Sequence, residues 1–462
     1  MKLNAPTTPF EIRTVFSLAG IFSFRMLGLF IILPIFALYT QQLQGATPTL
    51  MGIALGIYGL TQAIFQIPLA MLSDKIGRKS IITAGLVIFI VGSVIAALSH
   101  SIYGVIIGRA LQGAGAVGST ILALVADLTS MENRTKAMAV IGMTIGISFA
   151  VAMVLGPALN LWVGLSGIFW ITALFGIISI MILLLFVPQP PQLVFHRDAE
   201  TLPKLLKSTL ANLELLRLNF GILSLHALLT ASFIVIPVMI SQLQDTVANH
   251  AWIVYLPAMA FAFFAIMPCI IVSEKYRQIK VFFVVMIFVL GITQWLLWYF
   301  HTSTWEIITI LCIFFTAFTF LEATLPSLIS KIAPVGSKGT AIGVYSSSQF
   351  FGIFLGGSLG GWVYSHYHFN GIFILNLMFI FLWLLIAVTM RQPPYLTTLM
   401  LPLGNINEPQ AQLLTQEYRK LAGVIEAVVL LNEKTAYLKV DRKILDLNNL
   451  LNFNNKFNDF AQ

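Results

Sequence analysis

Long apolar runs recur along most of this chain, and they constrain its fold more than any other feature. Each run is about 20 residues long and nearly free of charge. A helix of that length crosses the roughly 30 Å hydrocarbon core of a bilayer, where each backbone polar group needs a partner within its own segment. Hydrophobic residues fill 58% of the 462 positions, more than soluble domains of this size bury. The runs predict an all-α membrane protein.

Twelve transmembrane helices are predicted, six before and six after a polar segment at the midpoint. The predicted spans are residues 14–40, 50–72, 80–98, 102–125, 137–161, 166–187, 218–241, 251–272, 281–300, 305–329, 340–362 and 371–390.

The basic residues predict how the chain is oriented. Of the 26 Lys and Arg residues, only Arg25 and Arg109 lie inside predicted spans; the others lie at the N-terminus, in loops after even-numbered spans and in the C-terminal tail. Cytoplasmic loops carry the excess of bases, so both termini are expected in the cytoplasm of a protein that crosses the cell inner (plasma) membrane many times. The basic excess is a matter of topology and does not predict nucleic-acid binding.

The predicted domains follow the changes in composition. Residues 1–187 form a first half of six helices, 188–216 a polar cytoplasmic linker, 217–392 a second half, and 393–462 a small cytoplasmic domain. The halves resemble each other: "MLSDKIGRKS" after span 2 corresponds to "IIVSEKYRQIK" after span 8. Parallel repeats are typical of transporters whose site lies between the halves near the middle of the membrane. A duplicated structural bundle is the alternative.

Two short motifs carry a resemblance to a known family. Asp74, Gly77, Arg78 and Lys79 match the D-R-x-G-R-K loop signature, and "RALQGAG" supplies Arg109, Gln112, Gly113 and Gly115 of the R-x-x-Q-G-x-G signature of helix 4. With twelve spans, these motifs resemble the major facilitator superfamily, in particular its drug and proton antiporter branch.

The resemblance implies a conformational latch on the cytoplasmic side. Asp127 and Arg134 are further candidates for a charge network with Asp74 and Arg78, which would latch the two halves in the outward-facing state. The alternative is a solvated turn whose ion pairs contribute about 0–1 kcal/mol.

The chain departs from the family pattern at several positions. Ala70 and Ser80 stand where the loop signature has Gly and Pro. In span 5 the antiporter signature keeps Gly156 and Pro157 but has Ala152 in place of Gly. The incomplete signature weakens the prediction of antiport.

Four ionisable residues inside the membrane are the candidates for proton coupling and the central cavity, namely Arg25, Arg109, His226 and Glu322. They lie in spans 1, 4, 7 and 10, whose counterparts line the cavity in the family. Ionised groups in hydrocarbon are costly and mark function.

Each of these residues has a predicted role and an alternative. Glu322 is the best proton carrier, and a static Glu–Arg pair is the alternative. Arg109 would act on the proton affinity of a neighbouring carboxyl group. Arg25 would bind a substrate anion or bridge packed helices, and His226 is a secondary candidate.

The sequence predicts no resident cofactor or metal. Cys269 and Cys312 lie inside predicted spans, so no disulfide framework is expected. There is no nucleotide-binding motif, which argues against an ATP-driven pump, and a transporter rather than an enzyme is expected.

The C-terminal tail has a different composition. Its pattern predicts strand, helix, two strands and a second helix, the order of a small ferredoxin-like domain. This domain is expected either to contact the cytoplasmic face around residues 73–79 or to be a passive appendage.

These features predict a proton-coupled efflux antiporter of the drug type that works by alternating access. Its partners would be an unidentified small-molecule substrate, protons and the lipid bilayer, and a monomer is expected. The alternatives are a proton-coupled importer of a small organic anion and a transporter-like membrane sensor that signals through the C-terminal domain.

Overall fold

The computed structural model describes residues 8–189, 203–243, 250–334, 337–393, 396–404, 406–431, 434–441 and 444–460. Residues 190–202, which belong to the predicted linker 188–216, lie outside them. Most of the described chain is helical. The helices are α1 Pro9–Phe30, α2 Leu33–Tyr39, α3 Pro48–Ile76, α4 Arg78–Leu98, α5 Ile102–Ala114, α6 Gly118–Leu128, α7 Met131–Phe186, α8 Pro203–Ala211, α9 Leu213–Ser241, α10 Trp252–Lys275, α11 Ile279–Tyr299, α12 Thr304–Ile332 and α13 Lys338–Val388.

Ten helical stretches of the described chain are long and apolar enough to cross a bilayer. They lie where the sequence predicts the twelve spans. Two of the ten, Lys136–Phe186 in α7 and Lys338–Val388 in α13, have 51 residues each. At 1.5 Å per residue a straight helix of that length would extend for about 77 Å, more than twice the thickness of the hydrocarbon core.

Helix α7 turns back on itself at Gly164. That residue has φ +65° and ψ −176°, a conformation that favours glycine. Ser148 lies before it and bonds to Ser23 at 2.7 Å, whereas Phe175 lies after it and stacks on Phe24 at 5.1 Å between ring centroids. In a straight helix residues 148 and 175 would be about 40 Å apart, so contact with neighbouring residues of α1 requires a reversal.

Helix α13 reverses in the same way at His368, which has φ +52° and ψ −144°. Gly360, before the reversal, lies against Ala231 of α9. Asn376, after it, donates a hydrogen bond to Ser232 of the same helix at 3.0 Å. The two halves therefore share a reversal at corresponding places, with glycine in the first and histidine in the second.

The two halves meet along α3 and α13, where the backbones touch. A Cβ atom on Gly52 would overlap the carbonyl oxygen of Gly357, and one on Gly59 would overlap that of Phe350. Small residues allow such close helix contact in membranes. The contact extends from the Pro48 end of α3 as far as its middle.

The C-terminal residues form a separate small sheet domain. Its elements are β1 Thr397–Pro402, α14 Glu408–Lys420, β2 Val424–Leu430, β3 Thr435–Val440 and α15 Leu447–Phe460. The antiparallel sheet has the order β1-β3-β2, and the predicted order of strands and helices is confirmed. Leu414, Tyr418 and Leu450 of the two helices pack on one face of the sheet. Burial raises the pKa of the Tyr418 phenol, so it stays a donor to Asn454 at 2.5 Å.

Candidate functional site

Glu322 lies well inside α12, more than two turns from the end at Ile332. Its side chain is 22% exposed. One carboxylate oxygen, Oε1, accepts a hydrogen bond from Nε2 of Gln349 at 3.1 Å. The other oxygen, Oε2, is buried and has no hydrogen-bond partner. A buried carboxylate oxygen without a donor is costly, and it provides a position for a proton.

His226 of α9 lies beside this carboxyl group. Its Nε2 atom is 3.8 Å from Oε2 of Glu322 and 2.9 Å from Nε2 of Gln349. Its Nδ1 atom is 3.3 Å from the carbonyl oxygen of Ile222, one turn earlier in the helix. The structure thus brings together two of the predicted residues, Glu322 and His226, which are 96 positions apart.

Aromatic rings from both halves cover one side of this pair. Phe318 lies one turn before Glu322, with its ring centroid 6.0 Å from that of His226. Phe149 of α7 reaches Phe318 at 5.4 Å and Phe315 at 5.9 Å. The first half thereby contributes one ring to the aromatic cluster beside His226.

Arg25 is buried inside the first half, with only 2% of the residue exposed. Its Nη2 atom donates to Gln62 at 3.0 Å and to the hydroxyl of Tyr58 at 3.4 Å. Its Nε and Nη1 atoms are buried and have no hydrogen-bond partner. The guanidinium also lies 5.9 Å from the ring centroid of Phe89. A buried cation with two unused donors has room for a further acceptor.

Arg109 lies on the other side of Tyr58. Its guanidinium carbon is 4.8 Å from the Tyr58 ring centroid, a cation–π contact. Its Nη1 atom donates to Gln112 at 3.0 Å, and Gln112 in turn donates to Ser93 at 2.8 Å. Arg109 and Gln112 of the helix 4 signature therefore belong to one buried network.

The glycines of the same signature bring this network close to its neighbours. A Cβ atom on Gly113 would overlap the carbonyl oxygen of Tyr58, and one on Gly115 would overlap that of Gly85. Any larger residue at Gly113 would push α5 away from α3 and from the ring on which Arg109 stacks.

The four ionisable residues form two groups in this conformation. Within the described residues no hydrogen bond or ion pair joins Arg25 or Arg109 to Glu322. The first group contains two cations of the first half, and the second contains the carboxyl and imidazole groups of the second half.

The predicted latch residues meet around Arg78. Arg78 donates from Nε to Asp127 at 3.1 Å and from Nη1 to Ser73 at 2.8 Å, and it also pairs with Asp74. The side chain of Asp127 is 0% exposed and that of Arg78 is 2% exposed. The partners named here all lie in the first half, so the network as described holds helices of that half together, and a role as a latch between the halves stays a prediction.

The other predicted latch residues surround this pair. Gly77 has φ +108° and lets α4 begin directly after α3. Lys79 donates to the carbonyl oxygen of Val187, just after α7, at 2.8 Å. Arg134 is buried, donates to the carbonyl oxygen of Ala126 at 3.2 Å and interacts electrostatically with Asp127.

The remnant of the helix 5 signature lies at a close helix crossing. A Cβ atom on Gly156 would overlap the carbonyl oxygen of Ile31, which lies between α1 and α2. Pro157 follows inside α7. The residues that the signature keeps are thus those at a point of backbone contact.

Sequence reasoning missed two residues with clear contacts. Gln349 joins Glu322 to His226, and the available signal was a carboxamide inside a predicted span. Glu11 accepts from the backbone nitrogen of Ser130 at 2.7 Å and from Asn133 at 3.1 Å. It thereby connects the start of α1 to the start of α7, where the helix dipole favours a carboxylate.

The C-terminal domain contacts the second half through β3. Both faces of this strand are buried, and Lys439 donates to the carbonyl oxygens of Lys331, at 3.0 Å, and of Ala333. These carbonyls lie at the end of α12, where a cation is favourable. Arg277, in the loop after α10, pairs with Asp441 at 3.4 Å.

Metal-ligating side chains are not grouped in the described ranges, where no three His, Cys, Asp or Glu residues could hold one ion. The sites are built instead from membrane-buried charges on two similar halves. A family model described as the Major Facilitator Superfamily matches residues 18–356, and a second match covers residues 218–399.

The chain belongs to the major facilitator superfamily.

Relatives in this superfamily match most of the chain. The "Inner membrane transport protein YajR" of Escherichia coli K12 is 44% identical over 438 residues, which cover 95% of this chain and 96% of that protein. The "Uncharacterized transporter BU466" of Buchnera aphidicola is 38% identical and covers 75% of this chain and 89% of that protein. The chain is therefore a membrane transporter of the major facilitator superfamily, of the YajR type, and not an enzyme.

Two solved structures share the fold. The "Bacterial Homolog to Human Lysosomal Transporter, Spinster" has a TM-score of 0.68 at 16% identity and covers 83% of this chain and 97% of that chain. The human organic anion transporter MFSD10 has a TM-score of 0.58 at 18% identity and covers 82% of this chain and 100% of that chain. At these identities the two structures establish that this chain shares their fold.

Proposed function

We propose that this transporter is a proton-coupled secondary transporter of the cell inner membrane. It exports small organic compounds in exchange for protons, and Glu322 carries the proton. Alternating access between the two six-helix halves exposes this carboxyl group to each side of the membrane in turn.

One observation carries the proposal. Glu322 is inside a membrane helix, its Oε2 atom is buried without a donor, and Nε2 of His226 lies 3.8 Å from that atom. A carboxyl group so placed binds a proton reversibly when its surroundings change between conformations. The partial exposure of its side chain gives the proton a route to solvent.

Contacts between the halves support alternating access. Gly52 and Gly59 of α3 abut α13, and Phe149 abuts Phe318. These contacts lie level with Glu322 or nearer the Pro48 end of α3, so they close that side. The Arg78–Asp127 pair lies at the opposite end, where the loop joins α3 to α4.

The two reversals support the proposal of twelve membrane crossings, since α7 and α13 would each cross twice. The positions of the bases then put both termini in the cytoplasm. The domain division at 1–187, 188–216, 217–392 and 393–462 and the ferredoxin-like assignment of the last domain belong to the same proposal. Lys439 and Asp441 support docking of that domain on the cytoplasmic face.

A second candidate function is proton-coupled import of a small organic anion. Arg25 favours it, because its Nε and Nη1 atoms are buried and unused, and each can donate to a carboxylate oxygen. The likeness to MFSD10, which is named an organic anion transporter, supports the same substrate class. Import would require Arg25 to become accessible from the cavity.

Everted membrane vesicles test the main proposal. A pH gradient is imposed, a fluorescent weak base reports it, and cationic, neutral and anionic compounds are added in turn. Wild-type vesicles are expected to lose the gradient when a transported compound is added, because each compound that enters the lumen is exchanged for protons that leave it. Glu322→Gln vesicles are expected to keep it.

Glu306→Gln is the matched control, because it makes the same chemical change on the same helix. Glu306 forms a capping box with Ser303 at the helix start, and Gln retains that function. It should behave as wild type. Loss of the gradient in both wild type and Glu322→Gln would remove Glu322 as the carrier. If none of the compounds collapses the gradient in wild-type vesicles, and right-side-out vesicles take up anions driven by protons, the result would favour import.

A further inference from the structure

The amide of Gln349 is shared between two groups that can bind a proton. Its Nε2 atom lies 3.1 Å from Oε1 of Glu322 and 2.9 Å from Nε2 of His226. Gln349 belongs to α13, Glu322 to α12 and His226 to α9, so one side chain joins three helices of the second half.

The tautomer of His226 follows from its other nitrogen. Nδ1 is 3.3 Å from the carbonyl oxygen of Ile222, and a carbonyl oxygen can only accept, so Nδ1 carries the proton. Nε2 of the neutral ring therefore has a lone pair and accepts from Gln349. The two N–H bonds of the Gln349 amide are thus both used, one on a carboxylate oxygen and one on an imidazole nitrogen.

Protonation of the pair disrupts this arrangement wherever the proton binds. A proton on Nε2 of His226 would oppose an N–H of Gln349, because both groups would be donors. A proton on Oε2 of Glu322 makes the carboxyl group a donor 3.8 Å from the Nε2 lone pair, so an approach of about 1 Å brings it into competition with Gln349. A carboxamide can satisfy both states, since rotation of its end exchanges two donors for an acceptor.

Gln349 also adjoins the contact between the halves. Two residues earlier, the hydroxyl of Ser347 donates to the carbonyl oxygen of Ala63 of α3 at 3.3 Å. One residue later, the carbonyl oxygen of Phe350 lies against Gly59 of α3. A rotation of the Gln349 side chain therefore occurs between two points at which α13 touches α3.

We propose that Gln349 is a positioning residue that holds the unprotonated Glu322–His226 pair and transmits its protonation to the α3–α13 interface. The inference rests on the proposed function, since it requires that Glu322 binds the proton. The other titratable group facing Glu322 is the Tyr345 hydroxyl of α13. Within the described chain no Lys or Arg forms an ion pair with Glu322.

The test separates proton binding from the conformational response. The full chain is reconstituted in liposomes after Cys269→Ser and Cys312→Ser. Infrared difference spectra across pH follow the protonated carboxyl band of Glu322, which Glu322→Gln identifies by its loss. Spin labels are attached at Ile76→Cys and Val281→Cys, one in each half and both exposed. Double electron–electron resonance then reports the distance between the halves.

Wild type is expected to show both a titrating carboxyl band and a change of distance distribution with pH. Gln349→Met, which keeps the length without hydrogen bonds, should retain the band and lose the change of distance. Gln349→Asn, which keeps the amide, should recover part of the change. Gln294→Met is the matched control, because Gln294 is another buried carboxamide of this half, bonded to Asn376. It should respond as wild type.

A pH-dependent distance in Gln349→Met equal to that of wild type would overturn the inference and leave the proposed function intact. A wild-type protein without the Glu322 band would overturn the proposed function, and the inference with it. If Gln349→Met does not elute as a monodisperse protein, Gln349→Leu replaces it, with the same expected loss.

Discussion

At the scale of single residues, buried charges in this transporter are either shared or left incomplete. Arg78 is shared by Ser73, Asp74 and Asp127, whereas Arg25 and Glu322 each keep unused polar atoms. A buried charged group whose polar atoms have partners holds helices together. A buried group that keeps an unused polar atom can accept a proton or a ligand.

Replacement of Arg78 by Gln should destabilise the protein strongly. The change removes from the buried Asp127 carboxylate the cation that donates to it, at a cost of about 3–5 kcal/mol. Thermal unfolding in detergent, followed by size-exclusion chromatography after heating, should show a lowered Tm. Addition of Asp127→Asn to the same chain should recover much of the loss.

The matched control for this change is Lys75→Gln, which removes an exposed base from the same loop. It should leave the Tm close to that of wild type. Equal losses in Arg78→Gln and Lys75→Gln would mean that Arg78 acts only through the overall charge of the loop.

The chemistry of the residues was more predictable than their partners. Glu322 and Arg109 are conspicuous as charges inside apolar runs, and the loop signature locates Arg78. The partners were not predictable, because Gln349 and Tyr58 become important only when α13 and α3 are folded against other helices. No local pattern shows that Arg25 faces Gln62 inside the first half.

At the scale of elements, the two chain reversals form a natural comparison. Gly164 and His368 have similar backbone angles, φ +65° with ψ −176° and φ +52° with ψ −144°. Glycine adopts this region freely, whereas a residue with a Cβ atom is strained there by about 1–3 kcal/mol. The first half therefore has an unstrained turn and the second half a strained one.

His368→Gly should stabilise the protein, because it removes this strain from the second reversal. The Tm in detergent is expected to rise, and Gly164→Ala is expected to lower it. Gly142→Ala is a control on a helix of the first half, since a Cβ atom there would meet nothing within 4 Å. A lower Tm for His368→Gly would mean that the histidine side chain contributes more than its backbone costs.

A second prediction at this scale concerns the contact between α3 and α13. Gly52→Ala should separate the two helices, because its Cβ atom would overlap the Gly357 carbonyl oxygen. Thiol labelling of Ser358→Cys on α13 by an impermeant maleimide should become faster. Gly146→Ala, with open space around its Cβ position, should not change the rate.

The positions of the helices were predictable from the sequence, but their continuity was not. Hydropathy marks residues 137–161 and 166–187 as separate runs. It carries no information on whether four residues between them form a loop or stay helical on both sides of one glycine. That choice depends on backbone angles at a single position.

At the scale of the whole molecule, the C-terminal domain is joined to the helix that carries Glu322. Lys439 binds carbonyl oxygens at the end of α12, and Asp441 pairs with Arg277 in the loop after α10. These contacts are with the second half rather than with residues 73–79 of the first half, where the sequence predicts a contact. Arg277 lies within the segment of the second half that corresponds to the loop signature.

Lys439→Met with Asp441→Asn should release this domain from the membrane part. Limited proteolysis of the purified full chain should then cut faster near residues 391–396, before β1. Lys420→Met is the control, because Lys420 is exposed and pairs only locally with Glu417 among the described contacts. Unchanged cleavage in the double variant would show that other contacts hold the domain.

The reversals at Gly164 and His368 also bear on how the protein is made. A turn of so few residues leaves little chain to be carried through the bilayer during synthesis. We expect the two helices on either side of each turn to enter the membrane together as a hairpin, because the turn is too short to separate them.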